Sequence, residues 1–229
     1  MGKKYGKNYN QRKIFNVAID LFSKKGYNQV SMREIATEVG IKEASIYYHY
    51  SKKEDILDSI FEYFINRMSV TESSEEQMDQ LLNISPNKLY HFGSESVKNQ
   101  FSSLKMIKIL RLIFIEVYHN DKIRKFFIDE LLNDPIEFWT LLFKNFMDKK
   151  IIKPSNPKEL AENYYTFGMF KMFEAVVLNF PDDSKKIDLD PIFDKIEDHF
   201  NFIMNSVIIE NNNIINDDKS CDENSNRGG

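Results

Sequence analysis

The sequence predicts an all-α protein, and three observations carry that reading. Glycine and proline are scarce, eight and six in 229 residues, too few for a β-sandwich with a turn about every ten residues. Apolar residues recur at helical spacing, with no stretch of sustained strand alternation. Serine, asparagine and aspartate stand in helix-starting positions, either directly before proline or three residues ahead of glutamate.

The elements follow in order. Ile14, Ala18, Leu21 and Phe22 form one stripe and predict a helix near 9–25. "SMRE" (31–34) fits a capping box and opens a helix over 32–39 whose inward residues are Ile35, Ala36 and Val39. A further helix spans 43–49. "SKKE" (51–54) is a second capping box, opening 52–68 with Ile56, Leu57, Ile60 and Phe64 inward. Beyond it, helices are expected at 74–83, 95–117, 121–132, 135–149, 157–179 and 190–208. Ser85-Pro86, Asp134-Pro135, Asn156-Pro157 and Asp190-Pro191 mark helix starts, because proline at the first helical position sacrifices no hydrogen bond. Phe180-Pro181 reads as a helix end. The polar tail "NNNIINDDKSCDENSNRGG" (211–229) has little to bury and is expected to be disordered.

Several function classes find no support. The lone cysteine, Cys221, excludes a disulfide framework and a cysteine metal site. His91, His119 and His199 are scattered singly, and His49 has no acid, Cys or His spaced to share a metal or a proton with it. There is no glycine-rich phosphate loop, HExxH, nucleophile elbow or CxxC, so neither enzymatic activity nor a cofactor is expected. The N-terminus lacks the apolar block of a signal peptide, and Gly6 weakens a myristoylation reading. "MIKILRLIFIEVY" (106–118) is too short and too interrupted by charge to span a bilayer. The expectation is a soluble cytoplasmic protein.

Charge divides the chain unevenly. Residues 1–53 hold eleven Lys/Arg against four acids, a surplus of seven, while the remainder is eleven negative. A basic head on an acidic body points to an anionic partner for the head. The head also has the register of a helix–turn–helix. Ala36 supplies the small side chain where two steeply crossed helices touch, Gly40 permits the sharp reversal, and Ile41 and Ile46 anchor the second helix. With Ile46 and Tyr50 inward, Lys42, Glu43, Ala44, Ser45, Tyr47, Tyr48 and His49 turn much of their surface outward. In a major groove, tyrosine hydroxyls and an imidazole can donate to phosphates while the rings touch thymine methyls. Lys53, in the first turn of the next helix, is expected to grip a phosphate together with that helix's free amides.

"IFNVAIDLFSKKGYNQVSMREIATEVGIKEASIYYHYSKKEDIL" (14–57) resembles the DNA-binding domain of the tetracycline-repressor (TetR) family over more than 40 contiguous residues without a gap. The resemblance implies a phosphate contact for Ser31 and a base contact for Arg33. It places Lys42, Glu43 and Ala44 at the base-reading start of the recognition helix, and Ser45, Tyr48, His49 and Lys53 at backbone-contacting positions. Tyr47 lies near both base and phosphate. Glu43 departs from the family's pattern: its carboxylate either accepts from cytosine N4 or turns away from the phosphates.

The implied organisation is a three-helix DNA-binding domain at 1–53, a helical effector-binding and dimerisation domain at 54–209, and the tail from 210 to 229. Ala161, Gly168 and Ala175 fall seven apart, a seam of small residues that admits a close neighbour. With Phe138 and Leu142 on "PIEFWTLLFKNFM" (135–147), they suggest the helix pair that the resemblance implies for a homodimer's four-helix bundle. Phe114, Tyr118, Phe126, Trp139, Phe143, Met169, Phe170 and Phe173 are aromatic or thioether residues able to line a cavity or simply to fill a core. If they line one, the effector is small and hydrophobic. The expected function is a ligand-responsive repressor acting as a homodimer on near-palindromic double-stranded DNA. An activator of the same fold, or a helical adaptor whose head meets an acidic protein, are the alternatives.

Overall fold

The computed structural model describes residues 2–68, 85–180 and 188–209. Among these the chain is helical with no β-strand; Ile152 and Ile208 form a single antiparallel bridge that pins the end of the last helix. The helices are α1 (Gly2–Lys25), α2 (Met32–Val39), α3 (Glu43–Tyr47) and α4 (Lys53–Met68), followed by α5 (Pro86–Gln100), α6 (Leu104–Glu116) and α7 (Asp121–Ile128). Then come α8 (Asp134–Asp148), α9 (Pro157–Phe173) and α10 (Asp190–Val207). The expected helix at 74–83, the residue Pro181 and the tail lie outside the described residues.

Local signals explain most boundaries. Ser31 Oγ accepts the Glu34 N–H at 3.1 Å, as the capping box requires, but the Glu34 carboxylate pairs with Lys25 instead. At the second box the Lys52 N–H donates to Asp55 Oδ2, and α4 begins at Lys53. Asn156 caps α9 by accepting from the N–H groups of Lys158 and Glu159. Gly40 sits at φ 77°, and its N–H and that of Ile41 both return to the Ala36 carbonyl, so α2 stops in a left-handed cap.

One expectation needs correction and one boundary is refined. The helix expected over 95–117 is two helices: α5 starts where Ser85-Pro86 signals it, and Phe101–Ser103 break the run before α6. Asp134-Pro135 begins α8 as expected, but directly after a π-helical turn, Asp129–Asn133, that links it to α7. A proline lacks the N–H and crowds the preceding turn, and widening that turn accommodates it without ending the helix. A second π-turn, Glu174–Leu178, continues α9.

The core is organised as two clusters. One runs without interruption from Ile14, Phe22, Ile35 and Ile46 in the head, through Ile56, Ile60 and Phe64 of α4, to Ile109 and Ile113 of α6. Head and proximal body therefore share a single core. The second cluster, with Leu142, Phe143, Phe146, Ala161, Phe200 and Ile203, binds α8, α9 and α10 together.

Candidate nucleic-acid interface

The head presents one side of α3 to solvent. Ile46 is fully buried and Tyr50 nearly so, which holds α3 against α2 and turns its opposite side outward. On that side Lys42, Glu43, Ala44, Tyr47 and Tyr48 are exposed, and Ser45 and His49 partly so. Tyr48 keeps 68% of its surface accessible, far more than a packed aromatic would. The helix is shorter than expected: it ends at Tyr47, and His49 lies in the turn beyond, its ring edge-on to Tyr48 at 5.3 Å. Tyr47 donates a long hydrogen bond, 3.4 Å, to Glu43 Oε1 one turn earlier. The carboxylate thus lies along the helix, where it meets a phenol. Ser31 and Arg33, at the start of α2, are exposed on the same head. Arg33 makes no ion pair among the described residues.

Lys53 is engaged within the fold. Its ammonium donates to the carbonyls of Tyr27 and Val30, both at 2.8 Å, and lies 4.1 Å from the centre of the Tyr27 ring. Partial burial lowers its pKa from the usual lysine value. Two of its three donors hold the α1–α2 turn, so Lys53 is a clasp within the fold. The same burial raises the Tyr27 phenol to about 12, with carboxylates of Glu54, Asp58 and Glu116 adding to the effect.

The residues expected at a dimer seam are also placed differently. Leu142 and Ala161 are fully buried and Ala175 nearly so, all within one chain. A Cβ on Gly168 would meet Ile196 of the same chain at 3.7 Å, and Phe138 faces an internal cavity. Within the chain, the small-residue seam admits neighbouring helices. The exposed apolar side chains of α9 and α10 are others: Phe170, 56% accessible, and Phe202, 71% accessible. Between them His199 stacks on Phe167 at 4.0 Å and lies 6.4 Å from Phe202. Sequence periodicity could not separate these faces, because α9 is apolar nearly all round.

A cavity of about 310 Å³ opens where the two core clusters meet. Of the eight aromatic and thioether candidates, Trp139 and Met169 line it; Phe143 is core, Phe114 packs on Phe127 and Phe173, Phe126 packs on Phe64, and Tyr118 and Phe170 are exposed. Its missed walls come largely from α5, where Tyr90, Gly93, Ser94 and Val97 recur at helical spacing. No charged side chain is among its lining residues. The Tyr90 and Tyr165 hydroxyls already donate to the carbonyls of Phe193 and Leu131. Burial drives the phenols of Tyr90, Tyr164 and Tyr165 well above the ordinary tyrosine pKa, so the walls stay neutral. Among the described residues no group of His, Cys, Asp and Glu is placed to hold a metal ion, and no helix is long and apolar enough to cross a membrane.

An exposed short helix set by a left-handed glycine turn on a three-helix head defines a helix–turn–helix protein, here carrying an all-helical body. Residues 14–60 match the family model described as bacterial regulatory proteins, tetR family. Over 58 residues the chain is 47% identical to the biofilm operon icaADBC HTH-type negative transcriptional regulator IcaR of Staphylococcus epidermidis, covering 24% of this chain and 31% of that protein. Over 89 residues it is 36% identical to the regulator of the same name from Staphylococcus aureus strain Newman, covering 37% and 44%. The chain thus matches less than half the length of these relatives. A TetR family transcriptional regulator from Pseudomonas syringae pv. tomato shares the fold, with a TM-score of 0.58 and 14% identity over 86% of this chain and 96% of that one. Residues 14–60 are thus similar to the tetR-family regulatory domain, and the described residues share the fold of that solved regulator.

Proposed function

We propose that the protein is a sequence-specific DNA-binding transcriptional repressor, a homodimer whose activity responds to a small hydrophobic effector. The observation that carries this reading is the outward face of α3, where two exposed tyrosines and Lys42 stand opposite the buried Ile46 and Tyr50 that hold the helix in place. The basic surplus of residues 1–53 supports an anionic partner. In a dimer the two recognition helices would enter successive major grooves about 34–36 Å apart and read a near-palindrome. Repression follows from occupancy of the promoter. Phe170, Phe202 and the His199–Phe167 stack supply a self-complementary apolar face on the last two helices, which supports a two-fold contact there. The uncharged cavity supports a neutral, apolar effector.

Selection of the full chain against random duplex DNA at two salt concentrations tests the reading. The expected result is an enriched two-fold-symmetric site. If six to eight phosphates are neutralised per dimer, log K falls against log salt with a slope of about −5 to −7. Weak binding with no enriched sequence at either salt would overturn it in favour of a head that meets an acidic protein.

A further inference from the structure

Three side chains from two other helices converge on one short segment of head backbone, Ser23 to Val30. Lys53, at the start of α4, holds the carbonyls of Tyr27 and Val30. Glu116, at the end of α6 and only 3% accessible, accepts the Tyr27 N–H at 2.7 Å. Gly26, at φ 81°, lets the chain pass close to that carboxylate; a Cβ there would lie 3.4 Å from Glu116 Oε1. Arg111, in the middle of α6, donates from Nε to the Ser23 carbonyl at 2.9 Å.

Arg111 also reaches the other way. Its Nη1 donates to the carbonyls of Val176 at 2.7 Å and Val177 at 3.2 Å, and its guanidinium lies 4.5 Å from the centre of the Phe180 ring. Ser23 is in the last turn of α1, and Val176 and Val177 are in the π-turn that ends α9. The final carbonyls of a helix have no partner within it and carry partial negative charge. One guanidinium therefore caps the C-termini of two helices at once, one from the head and one from the body. A planar fork holds both sets of carbonyls in a fixed relation, which a single ammonium cannot do.

The helices tied at this joint are also cavity walls. Leu110, next to Arg111, lines the cavity, as does Met172, one turn before Val176; Phe64 and Met68 line it from the far end of the helix that begins at Lys53. We propose that Arg111 is a positioning residue for DNA recognition: by capping α1 and α9 together it fixes the head on the cavity-forming body, and so sets the separation of the two recognition helices. This rests on the dimeric DNA-binding reading above and adds to it the residue through which the body governs the head.

The test uses the full chain in a Cys221→Ser background with a spin label at Thr37→Cys, an exposed position on α2. Label-to-label distances by pulsed electron resonance, affinity for the selected duplex and the melting temperature are measured for Arg111, Arg111→Lys and Arg111→Met. Wild type gives one narrow distance. Arg111→Met broadens the distribution and weakens operator binding by about 10-fold or more, while Arg111→Lys, with charge but no fork, falls between them. A lower melting temperature with distance and affinity unchanged would make Arg111 merely structural and overturn the proposal. Should Arg111→Met fail to fold, an unchanged distribution in Arg111→Lys overturns it equally. If wild type selects a duplex and the variants match it, only this inference falls; if wild type is monomeric or selects none, the DNA-binding reading falls and takes the inference with it.

Discussion

Individual residues of the head divide into those that hold it and those left to act. Lys53 and Tyr50 hold; Lys42 and Tyr48 are turned outward by the same packing. Lys42→Ala is expected to change the preferred sequence as well as affinity, because its position opens the helix that would lie among base edges. Tyr48→Phe removes one hydroxyl and is expected to weaken binding to every sequence alike. Competition between related duplexes reads both, and two unchanged variants would mean that α3 is not the reading element. The sequence showed which residues lie on α3 but not what Lys53 does. A lysine at a helix start looks the same whether its ammonium meets a phosphate or, as here, two carbonyls from a turn more than twenty residues earlier. The burial of Leu142 and Ala161 within the chain was hidden for a related reason. A helix that is apolar on every side does not say which side faces its own chain.

Among elements, α3 is the least self-sufficient. Five residues cannot nucleate a stable helix alone, so its shape depends on Ile46 and on the turn at Gly40. Gly40→Ala puts a Cβ on a residue at φ 77° and is expected to cost about 1–2 kcal/mol. Denaturant unfolding should show the lowered midpoint, and an unchanged midpoint would mean that the turn relaxes freely. Signals with local chemistry, such as the Asn156 and Ser31 caps and the Ser85-Pro86 start, were legible because their partners lie within four residues. The π-turn before Pro135 was not, since proline after aspartate is also an ordinary helix start. The break at Phe101–Ser103 was hidden because no glycine or proline marks it. With it went the α5 wall of the cavity, whose Gly93 and Ser94 read as loop rather than as room for a guest.

At the scale of the molecule, the acidic, aromatic-rich body carries an unpaired apolar face on α9 and α10. Placing carboxylates there with Phe170→Glu and Phe202→Glu together is expected to convert a dimer to a monomer in sedimentation. Loss of the second half-site contact should lower operator affinity about 100-fold or more. A doubly substituted chain that remains dimeric would move the two-fold contact elsewhere.

The continuous core has a consequence for how such proteins exchange their parts. The stretch that matches the family model ends at residue 60, yet Ile14, Phe22 and Ile60 share one core with Ile109 and Ile113, and the carboxylate that receives Tyr27 belongs to residue 116. What is shared in sequence is therefore not what folds. A head cut out after residue 60 would expose apolar surface and leave backbone groups of its first turn without their partners. Grafted onto a foreign body, the head would need a matching arginine and glutamate on the receiving helix. Swaps between relatives should succeed only when α6 travels with the head.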